Sequence, residues 1–193
     1  MSEGLKILIA DDSSINRLGF KVMLQSLGHR VIAEAENGEE AVELANIYHP
    51  DLLIMDINMP LIDGIEAIKR INEKLFIPSI IISAYHDSEL IERASSEGVL
   101  YYLVKPVDEK DLSIAIKISM SKAEEIMKLN TELKTTKEAL NNRVFIEKAK
   151  GILMKRKELS EPEAMKLLQK ISNQKNEKVV QVAKSLIQAD ELF

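Results

Sequence analysis

Four residues could form one reactive site although they lie far apart in the chain. Asp11 and Asp12 close the apolar run Lys6-Ile7-Leu8-Ile9-Ala10, Asp56 closes Leu52-Leu53-Ile54-Met55, and Lys105-Pro106 closes Leu100-Tyr101-Tyr102-Leu103-Val104. Each run reads as a short strand. In an open parallel α/β sheet, ligands bind at the carboxyl ends of the strands, and such a sheet would gather the three carboxylates and the ammonium at one edge. Mg²⁺ takes oxygen ligands and keeps several waters, so two or three carboxylates plus a phosphoryl oxygen suit it. Lys105 supplies a compact positive charge for a phosphate or for the Asp56 carboxylate, and Ser83 brings a hydroxyl to the same edge from the end of another run. Taken singly, Asp11-Asp12 fits a helix N-terminal pair equally well, and Asp56 fits a turn. The case rests on their convergence.

The elements needed to bring them together are present. Strands are expected at 6–10, 31–34, 51–55, 79–83 and 100–104. Helices of period 3.6 fit between them at Asn16–Leu27, Glu39–Tyr48, Ile65–Lys74 and Ser88–Ser96, with a fifth starting near Glu109. Continuously apolar strands are what a sheet covered on both faces requires. Their alternation with helices predicts an α/β fold with a parallel, doubly wound sheet and right-handed crossovers. Gly28 and Gly98 are placed to stop the first and fourth helices.

Composition narrows the alternatives. Nearly half the 193 residues are apolar and almost a third charged, as in a globular protein. There is no cysteine, which removes disulfides, thiolate metal sites and a cysteine nucleophile. No stretch of about 18 apolar residues exists to span a membrane. The N-terminus enters a strand without a secretory leader. The expected location is the cytoplasm. Residues 1–121 hold 11 basic and 20 acidic side chains, net −9, whereas residues 122–193 hold 15 and 11, net +4. Halves of opposite sign suggest different partners.

The first 121 residues resemble the receiver domain of bacterial two-component response regulators. The resemblance is carried by Asp11-Asp12, Asp56 within Asp-Ile-Asn-Met-Pro-Leu-Ile-Asp-Gly (56–64), Ser83-Ala84 and Lys105-Pro106. It implies a flavodoxin-like five-stranded fold in which Asp56 accepts a phosphoryl group from a sensor histidine kinase. It implies that Asp12, Asp56 and the backbone carbonyl of Asn58 hold Mg²⁺, with Asp11 helping through water. Ser83 and Lys105 would hold the transferred phosphoryl oxygens, and Tyr102 would turn inward as Ser83 moves. On alternation alone, either Tyr101 or Tyr102 could be the purely structural tyrosine.

From Leu112 to Asn142 there is neither proline nor glycine, and good helix formers dominate. Ile126, Leu129, Leu133, Thr136 and Leu140 follow 3-4-3-4 spacing, an a/d seam. Either a dimeric coiled coil over a connector at 122–142 or a single helix packing on its own chain fits this pattern. The stretch Arg143–Lys157 follows, with six cations and one carboxylate. On a helical wheel Phe145, Ile146, Ala149, Ile152 and Leu153 share one arc, with Arg143, Glu147, Lys148, Lys150, Gly151 and Lys155 opposite. Gly151 costs a helix about 1 kcal/mol relative to alanine. It reads either as a place where a ligand backbone comes close or as a tolerated glycine on a solvated face. Ser160-Glu-Pro-Glu163 is a capping box opening a helix with the stripe Ala164, Leu167, Leu168, Ile171. Asn176 is placed to cap a last helix that turns Val179, Val180, Ala183, Leu186 and Ile187 inward. Residues 143–193 thus form an all-α three-helix module.

From about Leu133 to Ile187 the chain resembles the ANTAR family of RNA-binding antiterminator domains, through Ala139-Leu140, Arg143, Ile146–Met154, Ser160, Glu163-Ala164 and Val182–Ile187. The family resemblance implies a dimer that binds hairpin RNA in leader transcripts and promotes antitermination. Few aromatics are available for stacking, so Arg143, Lys148, Lys150 and Lys155 are expected to act through phosphates, with Gly151 allowing close approach. The rival outputs are a DNA-binding helical module and a tail that docks a protein. The tail has no histidine and no nucleophile–base pair, so an enzymatic output is not expected.

Overall fold

The computed structural model describes residues 4–84 and 88–190. The chain divides into two compact units, Met1–Ile126 and Met127–Phe193.

In the first unit, strands β1 (Lys6–Ala10), β2 (Arg30–Ala35), β3 (Leu52–Asp56), β4 (Ser79–Ser83) and β5 (Tyr101–Val104) alternate with helices α1 (Ser14–Ser26), α2 (Gly38–Tyr48), α3 (Gly64–Asn72) and α4 (Ser88–Ser96). Helix α5 (Glu109–Lys157) follows. All pairings are parallel, in the order β2-β1-β3-β4-β5. Strand order reverses between β1 and β3, so the crevice at their carboxyl ends is the switch point where such sheets bind ligands.

Both sheet faces are covered. Leu8, Ala10, Leu53, Met55 and Ile81 point into one core, packed with Ala41 and Ala45 of α2 and Ile65, Ile68 and Ile71 of α3. Their sequence neighbours Ile7, Ile9, Leu52, Ile54 and Ile80 point into the other, with Phe20 and Leu24 of α1 and Leu112, Ala115 and Ile116 of α5. Two cores on opposite faces are the reason consecutive strand residues such as Ile7–Ala10, Leu52–Met55 and Ile80–Ile82 are all apolar and buried. Helix starts are set by side chains that accept from the first-turn N–H groups: Ser13 from Asn16, Asn37 from Glu40 and Asp63 from Glu66. These caps move the observed starts of α1, α2 and α3 one or two residues ahead of the apolar periodicity. Gly28 and Gly98 take φ of +83° and +88°, the left-handed stop expected of them.

The second unit packs the C-terminal part of α5 with α6 (Glu161–Lys175) and α7 (Val179–Asp190). Ala149 and Leu153 meet Ala164 and Leu168 of α6 and Val182 and Ala183 of α7 in one small core. The Ser160–Glu163 capping box opens α6, with Pro162 in its first turn. Two expectations are corrected here. Asn176 closes α6, at φ +54°, and does not cap α7; asparagine tolerates the left-handed conformation that ends a helix. Val182 fills the core position expected of Val180. In α5, every residue from Met127 to Asn141 is exposed, including Leu129, Leu133 and Leu140. The connector stripe therefore has no covering within its own unit. No described helix is long and apolar enough to cross a membrane.

Candidate functional site

The acidic crevice is built from three strand ends. Asp11 and Asp12 leave β1, Asp56 is the last residue of β3, and Lys105 follows β5. One carboxylate oxygen from each of Asp11, Asp12 and Asp56 lies within 4.8 Å of the others. Asp11 and Asp56 are buried, at 1% and 7% exposure, while Asp12 is exposed. Lys105 Nζ donates to Asp11 Oδ2 at 3.0 Å and to Asp56 Oδ2 at 2.5 Å. The Asn58 N–H donates to Asp56 Oδ1 at 3.4 Å, which places Asn58 in the same loop as the acceptor.

The electrostatics follow from this geometry. Burial pushes the Asp56 carboxyl above its ordinary pKa. The Lys105 hydrogen bond and charge oppose that rise, and the Asp11 charge adds to it. Burial pulls the Lys105 ammonium down, but its bonds to Asp56 and Asp11 outweigh this and leave it raised, so it stays charged. Three crowded carboxylates with one ammonium remain net negative. A hard divalent cation relieves that charge and finds only oxygen donors, which is the ligand set Mg²⁺ takes.

Ser83 ends β4 and is fully buried. It pairs with Val104, and its carbonyl accepts from the Lys105 N–H at 2.8 Å, so β4 and β5 deliver Ser83 and Lys105 side by side. The Lys105–Pro106 bond is cis. The two tyrosines of β5 are now distinguished. Tyr101 packs on the core shared with α1 and α5, and Tyr102 on the core shared with α2 and α3. Both tyrosines border a small hollow with Ile91, Ala94 and Ser95 of α4.

Arg17 escaped the sequence reading. It sits in α1 with only 8% exposure, donates through Nη1 to the Asp11 carbonyl at 2.7 Å, and pairs through Nη2 with Glu36 at 2.7 Å. It thereby ties the β1–α1 loop, which carries the acidic pair, to the loop after β2. A signal was present: Arg17, Phe20 and Leu24 are the buried residues of α1, spaced three and four apart, so a cation occupies the core-facing stripe.

The second unit carries the other expected site. Arg143, Lys148 and Lys155 are exposed, as is Gly151. A Cβ built on Gly151 would meet nothing within 4 Å, so this glycine is not a helix–helix packing contact. Lys150 is a correction to the wheel. It is 8% exposed and its ammonium pairs with Glu147 at 2.9 Å and with Glu161, in the first turn of α6, at 2.7 Å. Its neighbour Ala149 belongs to the small core. Lys184 lies 4.8 Å over the Phe145 ring, which belongs to the core margin.

Comparison with known proteins finds one family match in each unit. Residues 7–117 match the response regulator receiver domain and residues 134–187 match the ANTAR domain. The chain is 37% identical over 183 residues to the transcriptional regulatory protein PdtaR of Mycobacterium tuberculosis, covering 95% of this chain and 89% of that protein. Among solved structures, the REC domain of AraT, a response regulator from Geobacillus stearothermophilus, is 36% identical with a TM-score of 0.56, covering 63% of this chain and 97% of that one. The signal receiver domain of a modulated diguanylate cyclase from Desulfovibrio desulfuricans G20 is 31% identical with a TM-score of 0.59, covering 63% and 97%. With a receiver crevice on a flavodoxin-like sheet and an ANTAR match over the helices that follow, the chain belongs to the response regulators of the ANTAR type.

Proposed function

We propose that the chain is a phosphorylation-switched regulator that binds hairpin RNA in leader transcripts and promotes transcription antitermination in the cytoplasm. The observation that carries the reading is the convergence of Asp11, Asp12 and Asp56 around Lys105 in a chain whose C-terminal unit matches the ANTAR domain.

In this reading an Asp56 carboxylate oxygen attacks a phosphohistidine of a sensor kinase. The phosphorus–nitrogen bond breaks, and its electrons return to the imidazole. Asp12, Asp56 and the Asn58 carbonyl would hold Mg²⁺, with Asp11 acting through water; the ion supplies charge neutralisation for the transferring oxygens. Lys105, already within reach of Asp56, takes up the new phosphoryl oxygens, and Ser83 does so from the adjacent strand end. The acyl phosphate adds charge and acceptors. Only groups that interact differently with the two states can shift the equilibrium, and Lys105 and Ser83 are such groups. Tyr102, on the α4 side of β5, follows Ser83.

The output has no enzymatic role. Arg143, Lys148 and Lys155 contact RNA phosphates beside Gly151, while Lys150 serves the α5–α6 joint. Two copies associate through Ile126, Leu129, Leu133 and Leu140 of α5. Acetyl-phosphate labelling tests the input: Asp56→Asn and EDTA should each abolish it, and labelling of either sample at the parent level would refute the assignment. Competition between hairpin RNA and duplex DNA tests the output. Preference for the duplex would favour a DNA-binding module, and no nucleic-acid affinity at low salt would favour a protein-docking tail.

A further inference from the structure

Between α5 and α7, within the second unit, lies a groove of about 680 Å³, within the range that holds a nucleotide-sized ligand. Its lining is not that of a plain phosphate track. We propose that this groove seats one unstacked base of the RNA, and that the Arg156–Asp190 ion pair reads the base's hydrogen-bonding edge. The proposal rests on the RNA-binding reading above and specifies which moiety the groove receives.

Three observations point to a base. First, Gly151 lines the groove, and its missing side chain serves no packing purpose, since a Cβ there meets nothing. A mid-helix glycine costs about 1 kcal/mol, and what it provides here is open space. Second, Ile152 and Ile187 supply half-buried apolar walls from α5 and α7, and Ile187 packs against the core. A phosphate gains nothing from such walls, whereas a base face does. Third, Asp190 lines the groove among the cations Lys148, Lys155 and Arg156. A carboxylate repels a phosphate backbone. Arg156 Nε lies 2.5 Å from Asp190 Oδ1. A carboxylate and a guanidinium side by side carry acceptor oxygens and donor N–H groups, the combination that reads a base edge. RNA loops offer such bases splayed out of the stack, and Lys148 and Lys155 at the rim are placed for the flanking phosphates.

The chemistry restricts the base. A carboxylate only accepts hydrogen bonds. It favours a base with an exocyclic amino group (adenine, cytosine or guanine) over uracil, whose one edge donor, N3–H, is flanked by two carbonyl oxygens that a carboxylate repels.

The test uses the full-length protein treated with acetyl phosphate and Mg²⁺, and a pool of fluorescent hairpins with a fixed stem and a randomised loop. Uracil should be depleted at one loop position in the bound fraction. An abasic nucleotide at that position should cost the parent about tenfold in affinity. Gly151→Gln, which fills the groove without removing a cation, should lose about as much on the intact hairpin, keep its salt slope, and lose little more from the abasic substitution. Asp190→Asn, which gives the edge a donor, should readmit uracil. The proposal is overturned if the abasic cost is the same for the parent and Gly151→Gln, or if no loop position discriminates against uracil while the parent binds hairpins. A parent that binds no hairpin at all overturns the RNA reading and this inference together.

Discussion

Replacing Lys105 by methionine tests the electrostatics of the receiver crevice, because the change keeps most of the stem and deletes the charge. In the parent, one ammonium bonds two carboxylates, of which Asp11 is 1% exposed and Asp56 7%. Without it, oxygens of Asp11 and Asp56 within 4.8 Å of one another repel unrelieved. At an effective dielectric of about 20 that repulsion is about 3.5 kcal/mol. The Lys105 side chain is 25% exposed, so water screens part of it, and a loss of roughly 2–3 kcal/mol is expected at neutral pH. The sign of the pH dependence follows from Asp56. Its carboxyl is already raised by burial, with Lys105 holding the rise in check. In Lys105→Met it rises further. A raised carboxyl imposes no penalty below its unfolded pKa, a growing one as pH climbs from there to the folded value, and a constant one above it. The deficit should therefore be fully present at neutral pH and shrink as the pH falls toward the ordinary carboxylate range, and Mg²⁺ should recover part of it at neutral pH. Urea melts of both proteins across that range, with and without Mg²⁺, provide the measurement. A variant as stable as the parent at neutral pH, or one whose deficit is unchanged by pH and by Mg²⁺, would refute the reasoning.

Gly151→Ala should raise the melting midpoint of the C-terminal unit by about 4–8 °C, since about 1 kcal/mol of helix propensity is gained with no clash, and should weaken hairpin binding; a lower midpoint would show a packing role. Lys155→Ala should flatten the salt dependence of RNA affinity by about one unit of log–log slope. Lys150→Met should leave that slope unchanged and destabilise the α5–α6 joint, because its ammonium is taken by Glu147 and Glu161; an equal slope change in both variants would return Lys150 to the RNA face. Leu133→Glu places a charge on a residue that is 52% exposed in the single chain, so the monomer should melt as before while light scattering shows loss of the dimer; an unchanged dimer would place the seam elsewhere.

The receiver half was largely legible because each reactive residue follows an apolar run, and one topology forces the ends of such runs together. Legibility ended where partners come from distant sequence. A helical wheel gives Lys150 an angle but cannot reveal Glu161 on the next helix. Arg17 was hidden by the habit of reading a cation as a surface residue, although it occupies the buried stripe of α1. Alternation could not separate Tyr101 from Tyr102, because both are half-buried and only the two distinct cores assign them. Asn176 is a residue type that suits a helix start, but its left-handed backbone conformation makes it the end of α6. The groove between α5 and α7 was invisible to sequence, since it depends on the fold bringing Ile187 and Asp190 of α7 to one hollow with Gly151 and Arg156 of α5.

The central claim is that the state of Asp56 sets the RNA affinity of the C-terminal unit. Hairpin binding by the full-length chain, measured at fixed salt with and without acetyl phosphate plus Mg²⁺, tests it directly in the parent and in Asp56→Asn. A coupling of ordinary size predicts that affinity for the parent rises by about fivefold or more and that Asp56→Asn does not respond. Equal affinity of the parent in both states, or an equal response from Asp56→Asn, would contradict the account.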